Sequence, residues 1–408
     1  MTAPATPPDA DELVAELESR VRRYPPERYP VQHATAQFHL GVVLADAGRP
    51  VDARRALDVA VGLFPPDHLP VEHAKAANAR GAVARLVGDL GAAAADFRVA
   101  AGVFAAHGLA AEEGAARFNL GLVERESGHG DRAVQSFLAA QGLLGPVPAV
   151  RRELGAAHLA AGDVDAAVAV LEEALGDARA SGDRAALGAA ANLAGLAHLA
   201  ADRPAMAVRW FATAAAADPR GVRPDGYAVA KANLALAHER AGDAAQARLS
   251  AAQALGSPAV PAPAAGVATG VLDRLGRRAG DVMTVVADQP PERRRVVLQE
   301  ELARWADAGA AERRSEAGAW VAGLLQRPEQ APELVEAWLA SLLELPPRAT
   351  ADLVEAVVAG TGTLGPEAAQ QVRSWHSRAM VTFHPPQWMR LRDIFAGAAA
   401  RHGGPGDW

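Results

Sequence analysis

Cysteine is absent from the chain. That excludes disulfides, thiolate metal centres and cysteine nucleophiles. Aromatic residues are scarce at 5%, with only three tyrosines, and such a chain suits closely spaced helices better than sheets. No stretch approaches the roughly 18 uninterrupted apolar residues of a membrane-spanning helix. Met1 to Glu18 lacks the basic start and apolar run of a signal peptide. The expected setting is therefore cytoplasmic and soluble, with no membrane partner. Positive charge is not in excess either. Lys and Arg number 41 against 48 Asp and Glu, a net charge of −7, which argues against general binding to nucleic acid. The one basic run, Arg293-Arg294-Arg295, is narrower than a phosphate-binding surface and reads as a solvated helix face.

Catalytic patterns are missing as well. There is no phosphate loop ending in Lys-Ser/Thr, no His-Glu-x-x-His and no nucleophile elbow. Gly360-Thr361-Gly362-Thr363-Leu364-Gly365 matches the dinucleotide fingerprint by letter. It lacks the strand before it and the acidic residue about 20 positions on that would meet the ribose, so it reads as a helix end with a glycine turn before Pro366. No cofactor, metal site or catalytic set is expected.

What the chain has is alanine, within a hydrophobic fraction of 50% over 408 residues, and it has it periodically. Pro30-Val31-Gln32-His33-Ala34 returns as Pro70-Val71-Glu72-His73-Ala74. Each leads to a small residue, and that mark continues along the chain: Gly41, Gly81, Gly121, Gly155, Gly195 and Ala235, at intervals of 40, 40, 34, 40 and 40. Twelve residues past each mark stands an alanine: Ala53, Ala93, Ala133, Ala167, Ala207 and Ala247. Four further on comes Leu57, Phe97, Phe137, Leu171 or Phe211, with Ala251 in the sixth repeat. Steps of three and four hold these on one helix face. Turn signals such as Val87-Gly88-Asp89 and Ala241-Gly242-Asp243 separate the two helices of a repeat.

With Leu40-Gly41, Leu120-Gly121 and Leu154-Gly155 as its Leu-Gly pairs, and Pro65 and Pro219 as its closing prolines, this segment resembles the tetratricopeptide repeat family over roughly residues 30–258. It departs from the family in having Gln37 where a large aromatic is usual, and in its mostly 40-residue period. The resemblance implies an all-α fold: a right-handed α-solenoid of about six helix-turn-helix repeats, here followed by a C-terminal helical domain. The expected organisation is a flexible tail and first helix over 1–25, an array over 26–256, a Pro/Ala linker over 257–265, a helical domain over 266–402 and a disordered end over 403–408. Beyond the linker, helices are expected at 266–286, 291–307, 310–325, 332–344, 348–360, 366–382 and 386–401. Six of the seven tryptophans lie in this half, which gives it a larger-residue core.

The resemblance also implies a concave groove lined by the first helix of each repeat. Carried over by position, the lining includes Phe38, Val42, Lys75, Asn78, Arg85, Phe118, Asn119, Leu122, Arg125, Asn192, Asn233 and Arg240. Lys75, Asn78, Arg85, Asn119 and Arg125 form a polar, weakly cationic patch. The implied function is a non-catalytic scaffold or adaptor that holds a peptide or helix of a partner protein in this groove. The alternatives are a peptide-sensing regulator, or a biosynthetic accessory or enzyme with a pocket between array and C-terminal domain, where Trp375, His376, His384 and Trp388 lie close in sequence. His158, His198 and His238 share one repeat position. Neighbouring equivalents should stand about ten ångströms apart, as packed helices do, too far for shared metal ligation.

Overall fold

A computed structural model describes residues 10–276, 278–406 and 408 of the chain. Among them there are 21 α-helices and no strand. Contacts divide the chain into two units, Met1–Ala201 and Asp202–Trp408.

The first unit contains α1 (Ala10–Arg23), α2 (Pro30–Asp46), α3 (Pro50–Leu63), α4 (Pro70–Leu86), α5 (Leu90–Ala106), α6 (Ala110–Glu126), α7 (Gly130–Leu144), α8 (Pro148–Ala161), α9 (Val164–Ser181) and α10 (Arg184–Ala200). Each helix packs on the next, and α2, α4, α6, α8 and α10 also touch one another in succession. The first helices of the repeats thus form a continuous layer. Their starts are set by local chemistry. Proline opens α2, α4 and α8, where its missing N–H costs nothing. Asp183 caps α10 by accepting the Ala186 N–H at 3.0 Å.

The odd 34-residue interval has a visible cause. Helix α8 has 14 residues, whereas α2, α4, α6 and α10 have 17, and the connection before it, 145–147, is shorter than the one between α3 and α4, 64–69. Between α3 and α4 the chain makes a proline loop, and His73 Nδ1 lies 3.0 Å from the Phe64 carbonyl across it. His33 does the same with the Tyr24 carbonyl at 2.7 Å before α2. These two histidines are therefore latches that give a loop carbonyl its donor.

The second unit contains α11 (Pro204–Ala217), α12 (Pro224–Arg240), α13 (Ala244–Leu255), α14 (Ala262–Leu275), α15 (Asp281–Asp288), α16 (Pro291–Asp307), α17 (Ala310–Gln326), α18 (Ala331–Leu342), α19 (Pro347–Gly362), α20 (Pro366–Met380) and α21 (Pro385–Arg401). From α15 onward, alternate helices pack together: α15, α17, α19 and α21 in one row, α16, α18 and α20 in another. Between them lies a core holding Trp305, Trp320 and Trp338 at 1% exposure or less.

One expected helix is corrected here, and two further observations concern the expected organisation. The helix expected over 266–286 is two helices, because Gly276 and Gly280 take positive φ of 75° and 90° between α14 and α15. The division between units falls after Ala201, not at the composition break over 257–265. Across that break, α14 buries Ala264, Ala268, Val271 and Leu272 against Ala232, Ala235, Ala247 and Ala251 of α12 and α13, and Leu249 of α13 joins the tryptophan core. Trp408, placed by sequence in a disordered end, is buried with its ring 5.0 Å from Phe395. The tail expected before residue 10 lies outside the described residues.

Candidate functional site

The layer of first helices carries most of the expected lining. Phe38 and Val42 stand on α2, Lys75, Asn78 and Arg85 on α4, Phe118, Asn119, Leu122 and Arg125 on α6, and Asn192 on α10. Lys75 is exposed and the rest are half-buried. Phe38 and Phe118 are less free than a lining residue need be. Phe38 packs against the cores beneath α2, and the Phe118 ring lies 5.6 Å from that of Phe137. Asn233 and Arg240 lie on α12, in the second unit.

The cationic character expected of this patch is largely cancelled. Arg85 grips Glu126 of the next first helix, with Nε at 3.0 Å and Nη2 at 2.9 Å from the same oxygen. Arg125 reaches Glu153 at 3.2 Å, and Arg152 takes the other oxygen of Glu153 at 3.0 Å. A guanidinium held by a carboxylate at such a range projects little net field. Asn78 Oδ1 and Arg125 Nε in the layer are nonetheless unfilled, buried without a hydrogen-bond partner. Such atoms are uncommon in folded proteins.

Between α6, α8 and α10 the layer opens into a depression of about 580 Å³. Arg125, Arg152, Glu153, Asp183 and Asn192 rim it, and Ala156, Ala185, Ala186 and Ala189 form an apolar wall. Sequence reasoning found Arg125 and Asn192 but missed Arg152, Glu153 and Asp183. The signal was present for Arg152, which falls three residues before its mark, the position of Phe38, Asn78, Phe118 and Asn192.

What holds the first helices in place is a close approach at each mark. A Cβ added to Gly41 would stand 2.5 Å from Leu57 Cγ, and one on Gly155 the same distance from Leu171 Cγ. On Gly121 it would stand 2.8 Å from Phe137 Cε1. In each case the large residue lies sixteen positions after the glycine, on the second helix of the same repeat. Leu57, Phe137 and Leu171 are fully buried. A glycine notch filled by Leu or Phe thus recurs from repeat to repeat and sets how closely the two helices of a repeat approach. The fold is an all-α array of helix-turn-helix repeats.

No family model matches the chain, and no curated protein does. Among solved structures the chain is similar to MamA, with 20% identity over 43% of this chain and 91% of that one at a TM-score of 0.36. It is similar to a tetratricopeptide repeat protein from Parabacteroides merdae, with 13% identity, 65% and 93% coverage and a TM-score of 0.49. For the apo form of RapI the figures are 13%, 59%, 92% and 0.45.

The other singled-out residues have structural places. Two residues of the basic run are paired: Arg294 is buried and donates to Glu333 at 2.7 Å and to the Gln289 carbonyl, and Arg295 pairs with Glu344. Gly360 and Gly362 lie inside α19, and a Cβ on Gly360 would meet the Gly318 backbone of α17 at 3.3 Å. His158 Nδ1 sits 3.5 Å from Asp163, His198 is buried, and burial pushes the pKa of His238 down. Among the described residues no group of three or more His, Asp and Glu is placed to hold a metal, and no helix is long and apolar enough to cross a membrane. Of the C-terminal quartet, Trp375 and His376 are buried, Trp388 is half-buried and His384 is exposed. His376 lies within an aromatic core, its ring 5.5 Å from both Phe395 and Trp408 and 5.9 Å from Trp338. Its Nδ1 lies 2.9 Å from the Val372 carbonyl. Burial pushes its pKa down to about 4.

Proposed function

We propose that the chain is a non-catalytic interaction scaffold whose first-helix layer binds a peptide or helix of a partner protein. One observation carries this reading: the open depression between α6, α8 and α10, in which polar rim groups stand over an alanine wall. Small wall residues let a partner's backbone come close, and the rim supplies groups that fix its register. The unfilled Asn78 Oδ1 and Arg125 Nε support it, since a bound chain offers amide N–H and carbonyl groups to satisfy them. Lys75, Asn78, Arg125 and Asn192 are assigned to the binding surface, with Phe38, Val42, Phe118, Asn119 and Leu122 as apolar and amide flanks. Arg85 serves mainly to tie α4 to α6. Asn233 and Arg240 on α12 are assigned to the same task in the second unit. The reading includes a cytoplasmic setting, in keeping with the absent cysteine and the net charge of −7.

The test compares two baits in native lysate: the parent, and a variant carrying Lys75→Ala, Asn78→Ala, Arg125→Ala and Asn192→Ala, with circular dichroism confirming that both are folded. A protein retained by the parent, lost by the variant and bound directly once purified is the expected result. Equal retention by both baits removes the first-helix layer as the binding surface. Asn233→Ala with Arg240→Ala, run as a third bait, reads the second unit separately.

A further inference from the structure

The second unit holds a charged cavity that the scaffold reading does not use. It has a volume of about 280 Å³ and lies among α13, α14, α15, α16 and α17. Leu249, Ala252, Leu272 and Val282 form its apolar wall, and Arg304, Glu312 and Glu316 its polar end. A second cavity of about 220 Å³ shares Ala252, Arg304 and Glu312. Arg304 therefore stands between two openings.

The charges around Arg304 do not balance. Its guanidinium alone meets three carboxylates: Glu301 at 3.0 Å, Glu312 at 2.7 Å and Glu316 at 3.5 Å. Glu301 is wholly buried and also takes the Gln253 amide at 2.6 Å. Arg248 brings no relief, because both its Nε and Nη2 are closed on Asp281 at 2.8 and 2.5 Å. Lys231 is paired with Glu300 at 2.8 Å. Among the described residues the one further cation on the cavity lining is Arg278, which is exposed. Glu316 Oε2 is buried with no hydrogen-bond partner. Glu312 is exposed, but Glu301 and Glu316 set two largely buried carboxylates against the one guanidinium, and buried charge of one sign calls for compensation. A metal ion does not fit, since the carboxylates converge on a guanidinium and not on an empty centre, and no metal-holding group exists among the described residues. A cation that brings its own N–H donors does fit.

We propose that this cavity binds a small organic cation, a primary ammonium or guanidinium on an aliphatic stem, with its head at Glu312 and Glu316 and its stem along Leu249, Leu272 and Val282. The volume suits a stem of a few carbons. The head has two natural sources, a free amine or amino acid and a side chain of a peptide, and Arg278 distinguishes them by favouring a ligand with a free carboxylate. Burial also holds Glu301 and Glu316 above the ordinary carboxylate range, against the pull of Arg304. The groups facing Glu316 are Arg304 and Glu301 from α16, Arg248 from α13, Asp281 from α15, Arg278 from the segment before it, and Glu312 from its own helix. A bound cation favours the ionised carboxylates, so it releases whatever protons they carry, and its affinity rises with pH as they titrate.

The test is titration calorimetry on the full chain with agmatine, arginine and N-acetyl-arginine amide, and with 1,4-butanediol as an uncharged control. Buffers of different ionisation heat report proton release. Agmatine is expected to bind with release of protons, and arginine more tightly if Arg278 takes its carboxylate. N-acetyl-arginine amide as the best ligand would assign the cavity to a peptide side chain. Glu316→Gln should weaken agmatine by roughly tenfold or more, the loss expected for one charge-assisted contact. Ala252→Phe fills the cavity from its apolar wall while leaving every charge in place, and should abolish binding in a protein of unchanged helicity. Absence of binding by all three cations overturns the proposal. So does binding that both variants retain, or equal binding of 1,4-butanediol.

Discussion

The glycine notches predict that one substitution has opposite signs at two positions twenty-one residues apart. Gly121 and Gly142 are both helical, on α6 and α7. Alanine in a helix interior is favoured over glycine by about 0.5–1 kcal/mol, because the unfolded chain loses less freedom. At Gly142 nothing lies within 4 Å of the new methyl group, so Gly142→Ala should stabilise by about that amount. At Gly121 the methyl group would stand 2.8 Å from Phe137 Cε1 and 2.9 Å from two further ring atoms. Carbon atoms rest at about 3.5–4.0 Å, and Phe137 is fully buried with no room to retreat. Overpacking of this kind costs about 1–3 kcal/mol. Net of the helix gain, Gly121→Ala should destabilise by about 1–2 kcal/mol. Thermal unfolding followed by far-ultraviolet circular dichroism reads both. Each kcal/mol moves the midpoint by about 2–4 °C in a unit of this size. A Gly121→Ala variant that melts at or above the parent would refute the notch as the feature that sets helix spacing. Gly62, Gly102 and Gly176 occupy the same repeat position as Gly142 with equally open surroundings, and should respond with the same sign.

Three further outcomes follow from contacts already described. His73→Ala removes the donor to the Phe64 carbonyl and should cost about 1 kcal/mol in urea denaturation, with His33→Ala costing about the same at Tyr24. A double-mutant cycle on Arg85 and Glu126, each about one-third exposed, should give a coupling of about 0.2–1 kcal/mol that shrinks in high salt; a salt-independent coupling would show the pair to be more than a screened surface bridge. His376 has its folded pKa below the ordinary value of 6.5, at about 4. The unfolded state therefore binds more protons between those values, and stability should fall as pH drops through that window, by about 3 kcal/mol in full at 1.36 kcal/mol per unit. His376→Leu should flatten this part of the pH profile; an unchanged profile in that variant would assign the acid sensitivity to other groups.

The repeat was legible in the sequence because its packing rule is local. A glycine and the Leu or Phe that fills it lie a fixed sixteen residues apart, so Gly41 and Leu57 announce each other without knowledge of the fold. The break between α14 and α15 was signalled by Gly276 and Gly280, but helical periodicity across Val271 and Val282 hid it. Charge pairing was not legible. Glu126 neutralises Arg85 from 41 residues away, and only the side-by-side arrangement of α4 and α6 brings them together. The same holds with more force in the second unit. Glu300-Glu301 beside three arginines reads as a solvated helix face, yet Glu301 is wholly buried against Gln253, 48 residues earlier. Helical periodicity marks apolar faces well but does not distinguish a solvated acid from a compensated buried one.

The neighbour-to-neighbour packing has a consequence for how the chain comes into being. In the first unit each helix touches the next along the chain, α2, α4, α6, α8 and α10 also touch one another in succession, and alternate helices pack in rows from α15 to α21. Few native contacts therefore wait for distant sequence, and loop-closure entropy enters in small instalments. An α2–α3 pair emerging during synthesis already has the partners of its own notch, and α4 supplies the next face as it appears. Folding can thus advance from the N-terminal end at the pace of elongation, with one unpaired helix face at the growing edge at any moment.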